Sequence, residues 1–309
     1  MTGFVALADW GTTSLRLWLI DDEGAVLAER RSTEGMATAT REPGGFAGVL
    51  DRHLAALDAP ADLPVVACGM VGAKQGWAEA AYVETPADPS TLAAGAIRVP
   101  EAARPVFILP GVCQRAEGRS DVMRGEETQI LGLDFGDDPM RAERQLVCLP
   151  GTHSKWVTVA RGRITGFSTF VTGDLFAAIS GHTILSHSMP TGDKTFDEAA
   201  FVAAARAGYE HPTEISNRLF AIRAGGLLEP ASAPHAASTL SGLLVALEIA
   251  GAGSLFGRLD GQAIRLVAAG ALAARYAAAF RALGLGVIEE DGEAAVRRGL
   301  FAAARKILA

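Results

Sequence analysis

Two short turns carry the residue types that phosphate chemistry requires. The chain opens with Asp9-Trp10-Gly11-Thr12-Thr13-Ser14, and Gly151-Thr152-His153-Ser154 repeats the Gly-Thr turn later without a gap. A hairpin tip of this composition exposes backbone N–H groups in a concave array that suits phosphate oxygens. Glycine lets the backbone approach closely, and the Thr and Ser hydroxyls add donors. Asp9 is placed to hold a hydrated Mg²⁺, which prefers carboxylate oxygen and retains waters. Either turn alone reads as an ordinary hairpin, for which Gly and Thr are common. Two matched turns, one following an Asp, point to phosphate binding instead.

The elements around both turns recur as well. Phe4 to Ala8 is an apolar run, and Leu15, Leu17 and Leu19 alternate with Arg16 and Trp18 in the period of a strand. Asp21 to Gly24 turns the chain, and Ala25 to Arg31 returns as a third strand, giving an antiparallel meander. Around the second turn, Gln145 to Leu149, Trp156 to Val159 and Ile164 to Phe170 repeat the three strands, with Gly162 at the second reversal. Internal repetition of turn chemistry and flanking periodicity indicates a duplicated architecture.

Between and beyond the repeats, strands alternate with helices. Phe46, Val49, Leu50, His53, Leu54 and Leu57 stand at helical spacing, while Pro64 to Cys68 and Pro105 to Leu109 read as strands. The C-terminal third reads as helix over Ala236 to Ile249, strand over Ile264 to Ala268, helix over Ala271 to Leu283, and a final helix over Glu293 to Leu308. This alternation predicts an α/β fold with crossover connections. The expected division is into domains 1–140 and 141–309, with the last helix, about 293–309, packing back toward the N-terminal domain.

Composition removes several function classes. With 28 basic and 35 acidic residues the net charge is −7, which gives nucleic acid no electrostatic footing. Cys68, Cys113 and Cys148 are an odd number with no CxxC, a pattern that suits a reducing compartment and argues against a disulfide framework or structural zinc. The first residues lack a basic n-region. No run reaches the roughly 18–20 apolar residues needed to span a bilayer, since Glu248 and Arg275 interrupt the best candidates. A cytoplasmic location is expected. His182 and His187 stand five apart, off the three- or four-residue spacing of a metal pair on one helical face, and read as structural.

On these residues the chain resembles the sugar kinase/Hsp70/actin superfamily. Asp9 to Ser14 is similar to its first phosphate motif, Gly151-Thr152 to its second, and Val267-Ala268-Ala269-Gly270-Ala271 to its adenosine motif. Longer strings narrow the resemblance to the 2-dehydro-3-deoxygalactonokinase family. They are Gly69 to Trp77 (GMVGAKQGW), Asp121 to Gln129 (DVMRGEETQ), Pro150 to Trp156 (PGTHSKW) and Ser241 to Ile249 (SGLLVALEI).

The resemblance implies two duplicated actin-like (ribonuclease H-like) domains with a cleft between them. The N-terminal domain would take the sugar acid and the C-terminal domain the nucleotide. It also implies ATP- and Mg²⁺-dependent phosphorylation of the 6-hydroxyl of 2-dehydro-3-deoxy-D-galactonate, in galactonate breakdown. Nucleotide contacts would then come from Gly11, Thr12, Thr13, Gly151, Thr152, His153, Ser154, Gly270 and Ala271. Ala269-Gly270 departs from the doubled glycine common in the superfamily.

Transfer to a hydroxyl needs a carboxylate to accept its proton. The implied acceptor is Glu126, where related carbohydrate kinases carry Asp; Glu127, Asp121 and Asp174 are rivals. An acid-sugar substrate needs cationic or amide donors for its carboxylate and 2-oxo group, for which Arg16, Lys74, Gln75, Trp77, Arg124 and Lys155 are the candidates. A phosphohydrolase on the same fold is the alternative reading. A non-catalytic nucleotide-dependent regulator would want a DNA-binding module or basic patch, and the sequence has neither.

Overall fold

The computed structural model describes residues 3–100, 102–115, 117–135, 144–190, 195–228 and 233–309. The chain divides into two compact units: Met1–Arg144, Thr158–Phe167 and Asp291–Ala309 form the first, Gln145–Val157 and Ser168–Glu290 the second. The boundary expected between residues 140 and 141 lies outside the described residues.

The first unit opens with the expected meander. Strands β1 (Val5–Trp10), β2 (Leu15–Ile20) and β3 (Val26–Ser32) pair antiparallel in succession. Helices α1 (Met36–Ala39) and α2 (Gly45–Ala55) lead to β4 (Val65–Cys68), which returns parallel to β1. After β5 (Val83–Glu84), α3 (Pro89–Ala94) and β6 (Ile97–Arg98), β7 (Val106–Ile108) lies parallel to β4. Next come β8 (Val112–Gln114), β9 (Asp121–Met123) and α4 (Glu126–Leu131). The main sheet runs β3-β2-β1-β4-β7-β6, with a small sheet β5-β8-β9 beside it.

A second sheet repeats this order. It is built on β10 (Gln145–Leu149), β11 (Ser154–Ala160), β12 (Arg163–Phe170), β13 (Ala263–Ala268) and β14 (Gly286–Asp291). Between β12 and β13 stand α5 (Thr172–His182), α6 (Glu198–Glu210), α7 (Ile215–Leu228) and α8 (Ala233–Phe256). Helix α9 (Gly270–Ala282) follows β13, and α10 (Gly292–Ile307) ends the chain. The sheet order is β12-β11-β10-β13-β14, with β13 parallel to β10. Meander, then a parallel central strand, occurs once in each of the two large sheets: the fold is a duplicated α/β fold of the actin-like type.

Why the strands form follows from their faces. Leu15, Leu17 and Leu19 lie with Ala6, Ala8 and Trp10 against α2 on one side of the first sheet. The opposite face is buried as well, and Trp18 there is 1% exposed. It packs with Val5, Leu7, Ile20 and Val66 under Val296, Leu300, Ala303 and Ala304 of α10. The apolar stripe of α10 recurs at helical spacing, and Asp291 caps the helix by accepting from the amides of Glu293 and Ala294. Burying Leu300 alone contributes about 1.5–3 kcal/mol.

Helix α10 also fixes α4. A Cβ at Gly132 would stand 1.9 Å from the carbonyl oxygen of Ala295, and one at Gly299 would stand 2.0 Å from that of Thr128. Arg298 Nε adds a 2.7 Å bond to the carbonyl of Gly132. The two helices therefore meet backbone to backbone, which places the start of α4 rigidly.

In the second unit Trp156 packs edge-on against Phe280 at 5.9 Å, and Tyr276 against Phe280 at 6.2 Å. Helix α8 buries Leu240, Leu243, Val245 and Ile249 there. Its 24 residues are long and apolar enough to cross a membrane by length and composition, despite Glu248, and half of that window is buried inside the protein.

Gly299→Ala pushes α10 off α4. Overpacking at such a contact costs about 1–3 kcal/mol, so thermal unfolding of this variant is expected at a lower midpoint; an unchanged Tm contradicts the close crossing.

Candidate functional site

In the first unit the Gly11–Ser14 turn joins β1 to β2. The amide of Gly11 closes it by donating to the carbonyl of Ser14 at 2.9 Å. The amides of Met36 and Ala37, at the start of α1, hold the carbonyls of Gly11 and Thr12 at 2.9 and 3.0 Å. Gly35 must be glycine here, because a Cβ would lie 2.4 Å from the amide nitrogens of both Thr13 and Ser14. Thr12, Thr13 and Ser14 are exposed. Among the described residues, the amides of Thr12 and Thr13 make no hydrogen bond within the protein.

The Gly151–Ser154 turn of the second unit is built alike. The carbonyl of Thr152 accepts from the amides of Gly173 and Asp174 at 3.1 and 3.3 Å, again from a helix start, α5. A Cβ on Gly173 would stand 2.6 Å from Thr152 Cα. The amide of Gly151 is used in closing the turn, at 3.3 Å from Ser154 Oγ. The amides of Thr152 and His153 have no partner among the described residues. His153 Nε2 lies 2.6 Å from Asp174 Oδ2, both half-exposed.

Ser154 corrects an expectation. Its side chain is fully buried and faces Tyr276 Oη at 3.2 Å. Its hydroxyl supports the turn from beneath and does not reach out to a ligand, because the strand period turns it inward with Trp156. At the third sequence motif, Gly270 (φ 59°) and Ala271 open α9, both exposed.

Carboxylates gather in the first unit at the ends of β1 and β4. Asp9, with 23% of its side chain exposed, lies 3.6 Å from Arg16, and Cys68 Sγ stands 4.0 Å from its Oδ1. Burial raises the Asp9 carboxyl above its ordinary range; Arg16 opposes this, and the nearby charges of Glu293 and Glu126 add to it. Gly69 (φ 91°) and Gly125 (φ 110°) let the backbone close over this point, since a Cβ on Gly69 would sit 2.8 Å from the carbonyl of Trp10.

Glu126 and Glu127 begin α4 and differ sharply. Glu126 Oε2 accepts from the amide of Arg124 at 3.1 Å. Glu127 is 1% exposed and accepts from the amide of Gly125 at 2.7 and 3.0 Å and from the Thr128 hydroxyl at 3.0 Å. Burial, reinforced by the charge of Glu126, pushes its carboxyl up to about 8. The other rivals lie apart: Asp121 is on β9 with Oδ1 on the amide of Val122, and Asp174 is in the second unit with His153.

Of the cationic candidates, Arg124 is the most confined. Its Nη2 donates to the carbonyl of Ala80 at 2.8 Å, and its guanidinium covers the ring of Tyr82 at 4.3 Å. Its Nε and Nη1 are buried with no hydrogen-bond partner, and Nη1 would lie 3.0 Å from a Cβ on Gly72. Lys74 and Gln75 are exposed on the loop that follows. Trp77 packs in the core, stacked on Phe46 at 6.0 Å and edge-on to Trp10 at 6.2 Å, so it anchors that loop. Lys155 is on β11 of the second unit, 5% exposed.

No three His, Cys, Asp or Glu side chains form a metal cage among the described residues. Asp9 nevertheless suits magnesium: it is a carboxylate with Glu126 and Glu293 nearby, and Mg²⁺ binds through one or two carboxylates while water and phosphate complete its shell. Sequence reasoning missed Glu293, which adds charge near Asp9, and Glu248, fully buried in α8 and bonded to Trp156 and Tyr276. Each looked like a helical residue with nothing nearby in sequence to give it a partner.

Because Glu127 is held protonated in the fold to about 8, the folded state binds more protons than the unfolded chain between the ordinary carboxylate range and that value. Stability from this group is therefore greatest at low pH and falls as pH rises toward 8. Glu127→Gln is expected to flatten that part of the Tm–pH curve; an identical slope in both proteins contradicts the assignment.

A family model described as 2-keto-3-deoxy-galactonokinase matches residues 9–303. The chain is 51% identical, over 99% of its length and 98% of the relative's, to DgoK1 of Rhizobium meliloti (strain 1021), described as a probable 2-dehydro-3-deoxygalactonokinase. It is 33% identical to the 2-dehydro-3-deoxygalactonokinase of Escherichia coli (strain K12), over 99% of both chains. The crystal structure of a Sinorhizobium meliloti protein superposes with a TM-score of 0.91 at 50% identity, covering 98% of this chain and 99% of that one. The chain belongs to the 2-keto-3-deoxy-galactonokinase family.

Proposed function

We propose that this protein transfers the γ-phosphoryl group of ATP to the 6-hydroxyl of 2-dehydro-3-deoxy-D-galactonate, with Mg²⁺, in cytoplasmic galactonate breakdown. The observation that carries the reading is the 51% identity to a relative of that description over 99% of the chain.

The first domain takes the sugar acid and the second the nucleotide. Arg124 turns its unpartnered Nε and Nη1 to the substrate carboxylate, which a guanidinium binds in a fork. Lys74, Gln75 and Arg16 serve the remaining oxygens, and Trp77 steadies their loop. Lys155 supplies a further positive charge. The unpaired amides of Thr12 and Thr13, and of Thr152 and His153, hold phosphate oxygens, with Gly11 and Gly151 giving them room. Gly270 and Ala271 border the nucleoside.

Glu126 accepts the proton of the 6-hydroxyl as its oxygen bonds to the γ-phosphorus and the bond to the bridging oxygen of ADP breaks. Glu127 cannot take that role near neutrality, because it keeps its own proton up to about pH 8. Two adjacent acids with separated protonation thus divide the work: one accepts the proton, the other fixes Gly125. When bound, magnesium held by Asp9 neutralises charge on the transferring group.

Glu126→Gln is expected to lower kcat by about 10²-fold or more, with binding of ATP retained. Arg124→Met is expected to raise KM for the sugar acid by roughly 10- to 100-fold, the scale of losing a charged hydrogen bond, with KM for ATP near normal. Phosphorus NMR of the product should show a phosphate monoester at C6. Normal turnover of Glu126→Gln moves the proton acceptor elsewhere; inorganic phosphate in place of the ester identifies a phosphohydrolase.

A further inference from the structure

Glu248 lies in the middle of α8, 1% exposed, with no place in the chemistry above. Its carboxylate collects donors from the elements that surround the second Gly-Thr turn. Trp156 Nε1, on β11, donates to Oε1 at 2.8 Å. Tyr276 Oη, on α9, donates to Oε2 at 2.7 Å. Thr172 Oγ1, the first residue of α5, donates to the same oxygen in a still shorter contact. Cys148 Sγ, on β10, stands 4.0 Å from Oε1.

Two of these routes end on the turn. Thr172 is followed by Gly173 and Asp174, whose amides hold the carbonyl of Thr152 at 3.1 and 3.3 Å. Tyr276 Oη is 3.2 Å from Ser154 Oγ, which accepts from the amide of Gly151 at 3.3 Å. Donor and acceptor counts order the second route. A tyrosine hydroxyl has one proton, and it goes to Glu248, so Ser154 gives its own proton to Tyr276. The lone pair left on Ser154 receives the Gly151 amide. The chain reads Gly151 N–H to Ser154 O–H to Tyr276 O–H to Glu248, each link polarising the next. The Gly151 amide is drawn inward, and the next two amides are left without a partner among the described residues.

We propose that Glu248 is a positioning residue for nucleotide binding: through Tyr276 and Ser154, and through Thr172, its carboxylate sets the orientation in which the Thr152 and His153 amides meet a phosphate group. This rests on the reading that the turn cradles ATP. Tyr276→Phe keeps the packing against Phe280 and removes only the hydroxyl that links Glu248 to Ser154. Glu248→Gln keeps the volume and forces the order of hydroxyl protons to reverse.

The test is steady-state kinetics with MgATP and 2-dehydro-3-deoxy-D-galactonate, alongside thermal unfolding, for Glu248→Gln, Tyr276→Phe, Ser154→Ala, the Tyr276→Phe/Ser154→Ala double variant and Gly151→Ala. Loss of a single hydrogen bond of this kind predicts a roughly 2- to 12-fold rise in KM for MgATP in Tyr276→Phe. A rise at least as large is expected in Glu248→Gln. KM for the sugar acid should stay within about twofold in both. The double variant should be no worse than either single one, because both cut the same chain. Lowered Tm with unchanged KM for MgATP in Glu248→Gln and Tyr276→Phe overturns the inference and makes Glu248 a packing residue. Gly151→Ala separates this from failure of the underlying reading. A Cβ there has no protein atom nearer than 3.9 Å, so wild-type affinity for ATP in that variant removes the turn itself from the nucleotide site.

Discussion

Negative charge crowded into a poorly solvated corner is the constraint around which the first unit is organised. Glu126 and Glu293 act on Asp9 there and Glu126 on Glu127, with Arg16 the cation beside Asp9. Burying a carboxylate without full compensation disfavours its charged form, and both Asp9 and Glu127 are raised accordingly. Glu127 answers by keeping its proton and bonding the amide of Gly125. Asp9 retains its opening to solvent, where a divalent cation would relieve the charge. The fold holds this corner in place through backbone contact: glycines at 69 and 125 over the ends of β1 and β4, and glycines at 132 and 299 between α4 and α10.

Duplication supplies the phosphate turns, and comparing the copies separates what a turn needs from what merely accompanies it. Both spend their first amide on closure, both have a carbonyl held by amides from a helix start, and both leave the next two amides without a partner among the described residues. Each support passes over a glycine, Gly35 in one unit and Gly173 in the other, where a Cβ would collide with the turn. The supports beneath differ. The first turn has Trp10 Nε1 on the carbonyl of Glu34, and the second has the buried carboxylate of Glu248 reached through Tyr276 and Ser154. Nearly the same four residues are thus held by unrelated side chains, which is why the turns recur in sequence and their supports do not.

Much of this was legible from residue pattern. The meander strands, the turns, α2, β13, α9 and α10 all carry a local signal of periodicity or turn chemistry, and they form where that signal stands. What escaped depends on partners distant in sequence. The alternation of β2 says nothing of a helix almost 280 residues later that covers Trp18. The two-residue strands β5 and β6 exist through pairing alone. Ser154 looked like Ser14, yet a strand that buries both faces turns its hydroxyl inward. Glu248 read as an interruption of an apolar helix; its meaning lies in Trp156, Thr172 and Tyr276, which only the fold brings together. For the candidate site, the longer strings pointed to Glu126 and Arg124, whereas the protonation that distinguishes Glu127 from its neighbour is a property of burial.

Release of ADP from ATP and Mg²⁺ with 2-dehydro-3-deoxy-D-galactonate, and separately with its gluconate epimer, tests the central claim most directly. The account predicts ADP formation that depends on the galactonate-derived acid and matches the sugar phosphate formed mole for mole. ADP formed equally with no acceptor, or no ADP with either acid, would contradict it.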